Sequence, residues 1–124
     1  MTNYKRGDVI LALFPDSNLR TAKKRPVLIV QADNIQTNLP QLIVAMITSN
    51  LSREGHPSRV LIEFSTTEGK QSGLLSDSII ATDNLATLHE KFIDKKIGSL
   101  SDFESIEKAL ANTFGLTFEN QNNK

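Results

Sequence analysis

The chain has 124 residues, a formal net charge of zero, 39% hydrophobic residues and no cysteine. A chain of this length suffices for one domain with one core, and the lack of cysteine excludes a disulfide framework and a thiolate zinc site. The first residues form no apolar signal segment and no run approaches the length of a membrane span, so we expect a cytoplasmic protein that makes no membrane contact.

The net charge of zero conceals an uneven distribution along the chain. Residues 1–59 carry eight Lys or Arg against four acids, whereas the remaining residues carry six against ten. This split allows a basic face for an anion and an acidic face elsewhere. It does not indicate the strongly basic domain that is expected for tight, non-specific binding of nucleic acid.

The first predicted strand is Val9–Phe14, an apolar run that ends at Pro15. The following residues, 16–24, are polar, show no helical period and are predicted to form a loop. Loops of this length between paired strands are more often functional or mobile than plain turns.

The most informative stretch is 23–31, where a cationic run gives way to an apolar run at Pro26. Val27–Val30 contains four apolar residues, three of them β-branched, which is typical of a strand buried on both faces. Arg25 precedes the proline, so its backbone is restricted to extended geometry. A guanidinium fixed beside a core strand suits the binding of phosphate. A basic loop followed by an ordinary strand remains the alternative.

A second apolar strand is predicted over Leu42–Thr48, and it ends in the polar cluster of Thr48, Ser49 and Asn50. If this strand pairs antiparallel with the one that follows Arg25, the start of one lies beside the end of the other. We therefore expect Arg25 to neighbour Thr48.

The remaining elements are shorter. The patterns predict a half-exposed strand over 60–64, a turn-rich link over 66–73, a strand over 74–82 that continues into 83–88, and a charged single turn within 89–96. Ser101-Asp102-Phe103-Glu104 matches a capping box, and Phe103, Ile106, Leu110 and Phe114 follow at helical spacing before Gly115. We therefore expect one terminal helix, a single domain over 1–116 and a flexible polar tail over 117–124.

Short strands, polar loops and one terminal helix indicate a mainly β protein of the α+β type, with a small curved antiparallel sheet or partly open barrel. His56 and His89 lie far apart and outside ligand spacings. No glycine-rich loop opens a helix, and no serine lies in a nucleophile elbow. We therefore expect neither a metal nor a cofactor.

Arg25 and Thr48 together suit one reaction. In RNA the 2′-hydroxyl can attack the adjacent phosphorus without a metal, provided that the developing negative charge is stabilised and protons are moved. A guanidinium supplies two parallel hydrogen bonds to phosphate oxygens, and a hydroxyl can position an oxygen or relay a proton. The internal nucleophile also selects RNA over DNA.

At these residues the chain resembles the MazF/PemK toxins of bacterial toxin–antitoxin pairs, over roughly residues 5–116. The segments that carry the resemblance are Arg6-Gly7-Asp8-Val9, Arg25-Pro26-Val27-Leu28-Ile29-Val30, Val44-Ala45-Met46-Ile47-Thr48-Ser49, Gly73-Leu74-Leu75, Ser78-Ile79-Ile80, Lys96-Ile97-Gly98-Ser99-Leu100-Ser101 and the final helix.

The resemblance implies an SH3-like, partly open barrel of the CcdB/PemK type that works as a homodimer. It implies cleavage of single-stranded RNA at short sequences without a metal, and neutralisation by a cognate antitoxin. The arginine and threonine of its motifs map onto Arg25 and Thr48 as catalytic residues. The expected substrate-binding residues are Arg20, Lys23, Lys24, Ser49, Arg53 and Asp83.

Two departures from the family pattern bear on the RNA sequence that is recognised. The first loop, which in many members is rich in Ser, Glu, Gln and Gly, here reads Asn18-Leu19-Arg20-Thr21-Ala22-Lys23, and Ala86 stands where the family has an arginine. Two alternatives therefore stay open: a non-enzymatic toxin of the gyrase-poisoning CcdB type, and an inactive member that serves as an interaction domain.

Overall fold

The computed structural model describes residues 3–35, 37–52 and 54–117. Within these residues the chain forms six strands, two α-helices and a short 3-10 turn at Glu90–Phe92. The elements are β1 Asp8–Pro15, β2 Ala22–Ile29, β3 Gln41–Thr48, β4 Arg59–Ile62, α1 Thr67–Gln71, β5 Ser78–His89, β6 Ile93–Ser99 and α2 Glu104–Phe114. Neither helix has the length and apolar character needed to cross a bilayer.

The strands form one sheet in the order β4-β5-β3-β2-β1-β6, and each neighbouring pair is antiparallel. β5 bends where it passes β3, because Ala45 pairs with Leu85 while the next residue, Met46, pairs with Ala81. Extra residues of this kind bend a strand and re-aim its side chains. The predicted class, a curved antiparallel sheet with one terminal helix, is confirmed.

The central strands are buried on both faces, as predicted. Val27 and Ile29 belong to one apolar cluster, whereas Leu28 and Val30 belong to another, because successive side chains point to opposite faces of a strand. The cluster around Leu28 includes Ile106 of α2, which covers that face of the sheet. The curved sheet itself encloses the cluster around Val27. This cluster includes Ile10 and the fully buried Phe14, both from β1.

The predicted loop over 16–24 is wrong in its last three residues. β2 already begins at Ala22, which pairs with Pro15, and Lys23 and Lys24 pair with β1 residues. The real turn is 16–21, closed by a hydrogen bond from the Asp16 amide to the Thr21 carbonyl (2.8 Å). Apolar periodicity does not reveal this part of the strand because its side chains lie at the exposed rim of the sheet.

The link over 66–73 was predicted as turns, but it contains α1. The Thr66 hydroxyl begins this helix by accepting a hydrogen bond from the Gly69 amide (3.0 Å). A helix of five residues is too short to show an apolar stripe, so the sequence pattern missed it. The predicted continuation of the strand through 83–88 is confirmed, since β5 runs to His89.

The capping box predicted at Ser101 is also wrong. α2 begins at Glu104, and its amide donates to the Asp102 carboxylate (3.1 Å) instead of to a serine. The predicted end of the helix is confirmed, because Gly115 adopts the left-handed conformation with φ of 68°. The predicted tail over 117–124 lies outside the described residues except for Thr117, so it stays a prediction, as does the domain boundary at 116.

Candidate functional site

β2 and β3 separate from each other at one end of the sheet, and the two predicted catalytic residues lie there. Their ladder comprises Val27 with Met46, Leu28 with Ala45 and Ile29 with Val44. Beyond these pairs, within the described residues, β2 continues along β1 alone and β3 continues along β5 alone. We call this opening the strand fork, formed by residues 22–26 of β2 and 47–48 of β3.

The register sets Arg25 and Thr48 on opposite sides of the strand fork. Arg25 precedes Val27 by two residues and Thr48 follows Met46 by two, so each lies two positions beyond the last pair of the ladder. Because side chains alternate, both residues point to the same face as that last pair. The fork therefore has a cation on one arm and a hydroxyl on the other, while direct contact between Arg25 and Thr48 stays a prediction.

The side chain of Arg25 is held from the turn that precedes β2. Its Nη2 lies 3.0 Å from Oδ1 of Asp16, and the two side chains are 29% and 17% exposed. Its Nε is buried and makes no hydrogen bond within the described residues. An unpaired buried donor is costly, so this guanidinium has hydrogen-bonding capacity that the described part of the chain does not use.

The carboxylate of Asp16 is itself fixed. Its Oδ2 accepts a hydrogen bond from the Thr21 hydroxyl (2.6 Å). That hydrogen bond, followed by the hydrogen bond and charge of Arg25 and the charge of Lys23, holds the pKa of Asp16 below its usual value against an opposing effect of desolvation. The group is therefore an anion at neutral pH.

Thr48 is half-buried at the end of β3, and its hydroxyl oxygen accepts a hydrogen bond from the Asn50 amide (3.1 Å). This local bond is typical of a threonine that begins a turn. Since the oxygen acts as an acceptor here, the hydroxyl proton remains available for donation to another group. Ser49 follows directly and is exposed.

The basic residues near the strand fork do not all face it. Lys23 lies two residues from Arg25 and shares its face, whereas Lys24 points to the opposite face and forms an ion pair with Asp94 (3.2 Å). Arg20 is exposed in the turn between β1 and β2. Arg53 lies outside the described residues.

Asp83 lies in the bend of β5, among the residues that have no partner on β3. Arg59 of β4 holds it through two contacts, from Nε to Oδ1 (2.8 Å) and from Nη2 to Oδ2 (3.3 Å). Partial burial raises the pKa of Asp83, but the hydrogen bonds and charge of Arg59 outweigh that effect and lower it overall. Asp83 is thus a fixed, ionised acceptor at the surface.

Asp16, Thr21 and Arg59 are side chains near the site that the sequence argument did not single out. Asp16 and Thr21 were treated as part of a polar loop, and Arg59 was only counted among the basic residues of 1–59. Only Asp16 could have been found from the sequence, because it is the acidic residue in an otherwise basic segment and a buried guanidinium requires an anion. Among the described residues no group of three or more His, Asp and Glu side chains is arranged to hold a metal ion.

Comparison with known proteins gives a family match and several structural matches. A family model described as PemK-like, MazF-like toxin of type II toxin–antitoxin system matches residues 5–114. Among solved structures, an endoribonuclease from a mycobacterial species in complex with its cognate antitoxin is 20% identical, with a TM-score of 0.71 over 94% of this chain and 99% of that chain.

Two further structures show the same likeness. The Mycobacterium tuberculosis toxin MazF-mt6 is 24% identical, with a TM-score of 0.69 over 90% of this chain and 99% of that one. MazF from Deinococcus radiodurans is 14% identical, with a TM-score of 0.68 over 94% of this chain and 100% of that one. At these identities the likeness establishes the fold. The family match covers almost the whole chain.

Proposed function

Because the chain belongs to the PemK-like, MazF-like toxins of type II toxin–antitoxin systems, we propose that it is an endoribonuclease that cleaves single-stranded RNA. The observation that carries the proposal is the register of β2 and β3, in which Arg25 and Thr48 each lie two residues beyond the last pair, one on each arm of the strand fork. The similar mycobacterial structure is an endoribonuclease. Nothing in these matches favours the alternative of a gyrase poison.

The proposed reaction is an internal transesterification. The 2′-oxygen of the ribose attacks the phosphorus and loses its proton, the P–O5′ bond breaks, and the departing O5′ gains a proton. The products are a 2′,3′-cyclic phosphate and a 5′-hydroxyl. This chemistry needs no metal, because the nucleophile is supplied by the RNA itself.

In this mechanism Arg25 stabilises the negative charge that develops on the non-bridging phosphate oxygens. A guanidinium remains charged at neutral pH and presents several donors in one plane. The value of such a donor depends on its being aimed before the reaction begins. The ion pair with Asp16 supports this role, because it restricts the orientation of the side chain.

Thr48 positions a phosphate oxygen or passes a proton. Its oxygen is engaged by the Asn50 amide, so the hydroxyl proton can be donated across the strand fork. A threonine alone is a weak base, so we assign it to hydrogen bonding at the phosphate, with Ser49 orienting the same group.

The remaining predicted residues are proposed to bind the RNA outside the scissile phosphate. Lys23 and Arg20 are proposed to contact the RNA backbone near the arginine arm of the strand fork, and Arg53 is also proposed to contact the RNA backbone. Lys24 is proposed to attract RNA at longer range, since it is paired with Asp94 on the opposite face. Asp83 is proposed to accept a hydrogen bond from a base amino group, because Arg59 keeps it ionised and oriented.

We further propose a cognate antitoxin as the protein partner, a homodimer as the working form, and the cytoplasm as its location. The mycobacterial endoribonuclease in complex with its cognate antitoxin supports the first of these. Exposed apolar side chains of α2 and the segment after it, Phe114 and Leu116, support a further protein contact. The domain is proposed to extend over 1–116, close to the family match at 5–114.

The test is cleavage of matched oligonucleotides by the purified protein in EDTA. Single-stranded RNA of several sequences should yield fragments that end in a cyclic phosphate, whereas DNA of the same sequences should remain intact. An RNA with a single 2′-deoxy residue at the mapped cut should resist cleavage there. Intact RNA at every sequence, or equal cleavage of the DNA, would contradict the proposal.

A further inference from the structure

We propose that Asp16 is a positioning residue for RNA cleavage, which holds the guanidinium of Arg25 in its working orientation at the strand fork. This inference rests on the proposed ribonuclease function and deepens it. It assigns a role to a residue that lies in the turn between β1 and β2 and does not itself contact the scissile phosphate.

The carboxylate of Asp16 is held by contacts with Thr21 that do not involve Arg25. One oxygen accepts the Thr21 hydroxyl (2.6 Å), and the Asp16 amide donates to the Thr21 carbonyl (2.8 Å). Thr21 lies at the other end of the same turn, and its amide donates to the Asn18 side chain (3.2 Å). The anion is therefore presented by a closed turn, in which both ends hold its position.

The second oxygen of Asp16 contacts Arg25 at one nitrogen only. Oδ1 lies 3.0 Å from Nη2, while Nε points inward and is buried. Fixing one terminal nitrogen and enclosing Nε defines the plane of the guanidinium. In this proposal the other terminal nitrogen, Nη1, binds a phosphate oxygen.

The neighbouring ion pair on β2 is more exposed to solvent than the pair of Arg25 and Asp16. Lys24 and Asp94 are 55% and 43% exposed, whereas Arg25 and Asp16 are 29% and 17% exposed. Exposed pairs contribute little to stability. A shielded pair restricts its members more, because fewer rotamers and less water compete for the contact.

The charge of Asp16 argues against a role in attracting RNA. An anion beside the scissile phosphate weakens binding of a polyanion, so its benefit must lie in orientation and not in affinity. Removing it should leave RNA bound as well as before or more tightly. The same change should slow the chemical step, because misplacement of a reacting group by about 1 Å can cost roughly a hundredfold in rate.

The experiment compares kcat and KM for RNA cleavage by the wild type and by Asp16→Ala, Asp16→Asn and Thr21→Val. For Asp16→Ala we expect kcat to fall by about 10- to 100-fold, with KM unchanged or lower. Asp16→Asn retains an acceptor for Nη2 and should keep more of the rate than Asp16→Ala. Thr21→Val removes only the brace on the carboxylate, so its loss of kcat should be the smallest.

A matched control removes a carboxylate from an ion pair remote from the strand fork. Glu104 of α2 pairs with Lys108 at 3.7 Å, and both side chains are 76% exposed. Glu104→Ala should keep the wild-type kcat and KM. Circular dichroism and thermal unfolding of each variant establish that it is folded under the assay conditions.

The outcomes separate the two proposals. A folded Asp16→Ala variant that cleaves at the wild-type kcat, or faster, would overturn the positioning role, as would an increase in KM at constant kcat. A wild-type protein that leaves all RNA intact would instead overturn the proposed function on which this role depends.

Discussion

Individual side chains near the strand fork are held by different kinds of contact. Arg25 and Asp83 are each fixed by an opposite charge from another element, whereas Thr48 is fixed by a local hydrogen bond from the Asn50 amide. Ion pairs of this kind make the stability of the protein depend on pH, whereas a hydroxyl bonded to an amide does not titrate. The ion pairs can therefore be tested by measuring stability against pH in the absence of RNA.

Asp83 should make stability depend on pH under acidic conditions. Its pKa in the folded protein lies below the ordinary value of 3.8, so its contribution to the free energy of unfolding is full above that value. The contribution is lost as the pH falls through the folded-state pKa. We expect urea unfolding between about pH 5 and about pH 2.5 to show a shallower loss of stability for Asp83→Asn than for the wild type.

Other carboxylates also titrate in this range, so the comparison needs a control. Glu104→Gln changes a carboxylate of an exposed pair on α2 and should retain the wild-type slope. Identical slopes for the wild type and Asp83→Asn would show that Arg59 does not stabilise the ionised form of Asp83 in solution.

At the scale of elements, the end of α1 packs against β6 through two glycines. A Cβ on Gly98 would collide with the backbone of Gln71 and Ser72, and a Cβ on Gly73 would collide with the backbone of Ile97. Neither neighbour is the movable end of a side chain. This contact fixes the short helix to the edge strand of the sheet and requires glycine on both sides.

Gly98→Ala should therefore destabilise the fold. Forcing extra atoms into a packed contact typically costs about 1–3 kcal/mol, so we expect a lower free energy of unfolding in urea by that amount. Lys95→Ala, at an exposed position of the same strand, is the control and should change stability by less than about 0.5 kcal/mol. Equal stability of Gly98→Ala and the control would mean that α1 can move away from β6 without loss.

The sequence predicted those elements whose apolar pattern is strong. Continuous apolar runs in the sequence predicted the buried strands β1 and β3 and the core of β2. The end of α2 was identified from Gly115. The basic start of β2 was missed because its side chains lie at the rim. The start of α2 was misplaced because Asp102 and not Ser101 accepts the first amide.

The sequence alone singled out Arg25 and Thr48 of the candidate site, but not the side chains that hold Arg25 and Asp83. Arg25 and Thr48 were identified from the ends of two apolar strands and from the assumption that these strands pair antiparallel. Asp16 and Arg59 depend on how a turn closes and how a strand bends, and no periodicity in the sequence reports either. Side chains that orient other side chains are therefore visible only in the structure.

At the scale of the whole molecule, the sheet has one face covered by α2 and one end where its two central strands part. The covered face provides rigidity, because Leu28 and Ile106 share one buried cluster. The parting of β2 and β3 provides an opening without a break in either strand, since each remains paired on its outer side. The architecture thus holds Arg25 and Thr48 on separate arms, each of which stays paired to the rest of the sheet.

Single-turnover RNA cleavage by Arg25→Ala tests this account most directly. We expect the rate to fall by about 100- to 1,000-fold, as for the loss of one aligned donor to a developing oxyanion. Thermal unfolding should confirm that the variant is folded, and Lys108→Ala, which removes a cation from the exposed face of α2, should cleave normally. If folded Arg25→Ala cleaves RNA at the wild-type rate, the strand fork is not the site of catalysis.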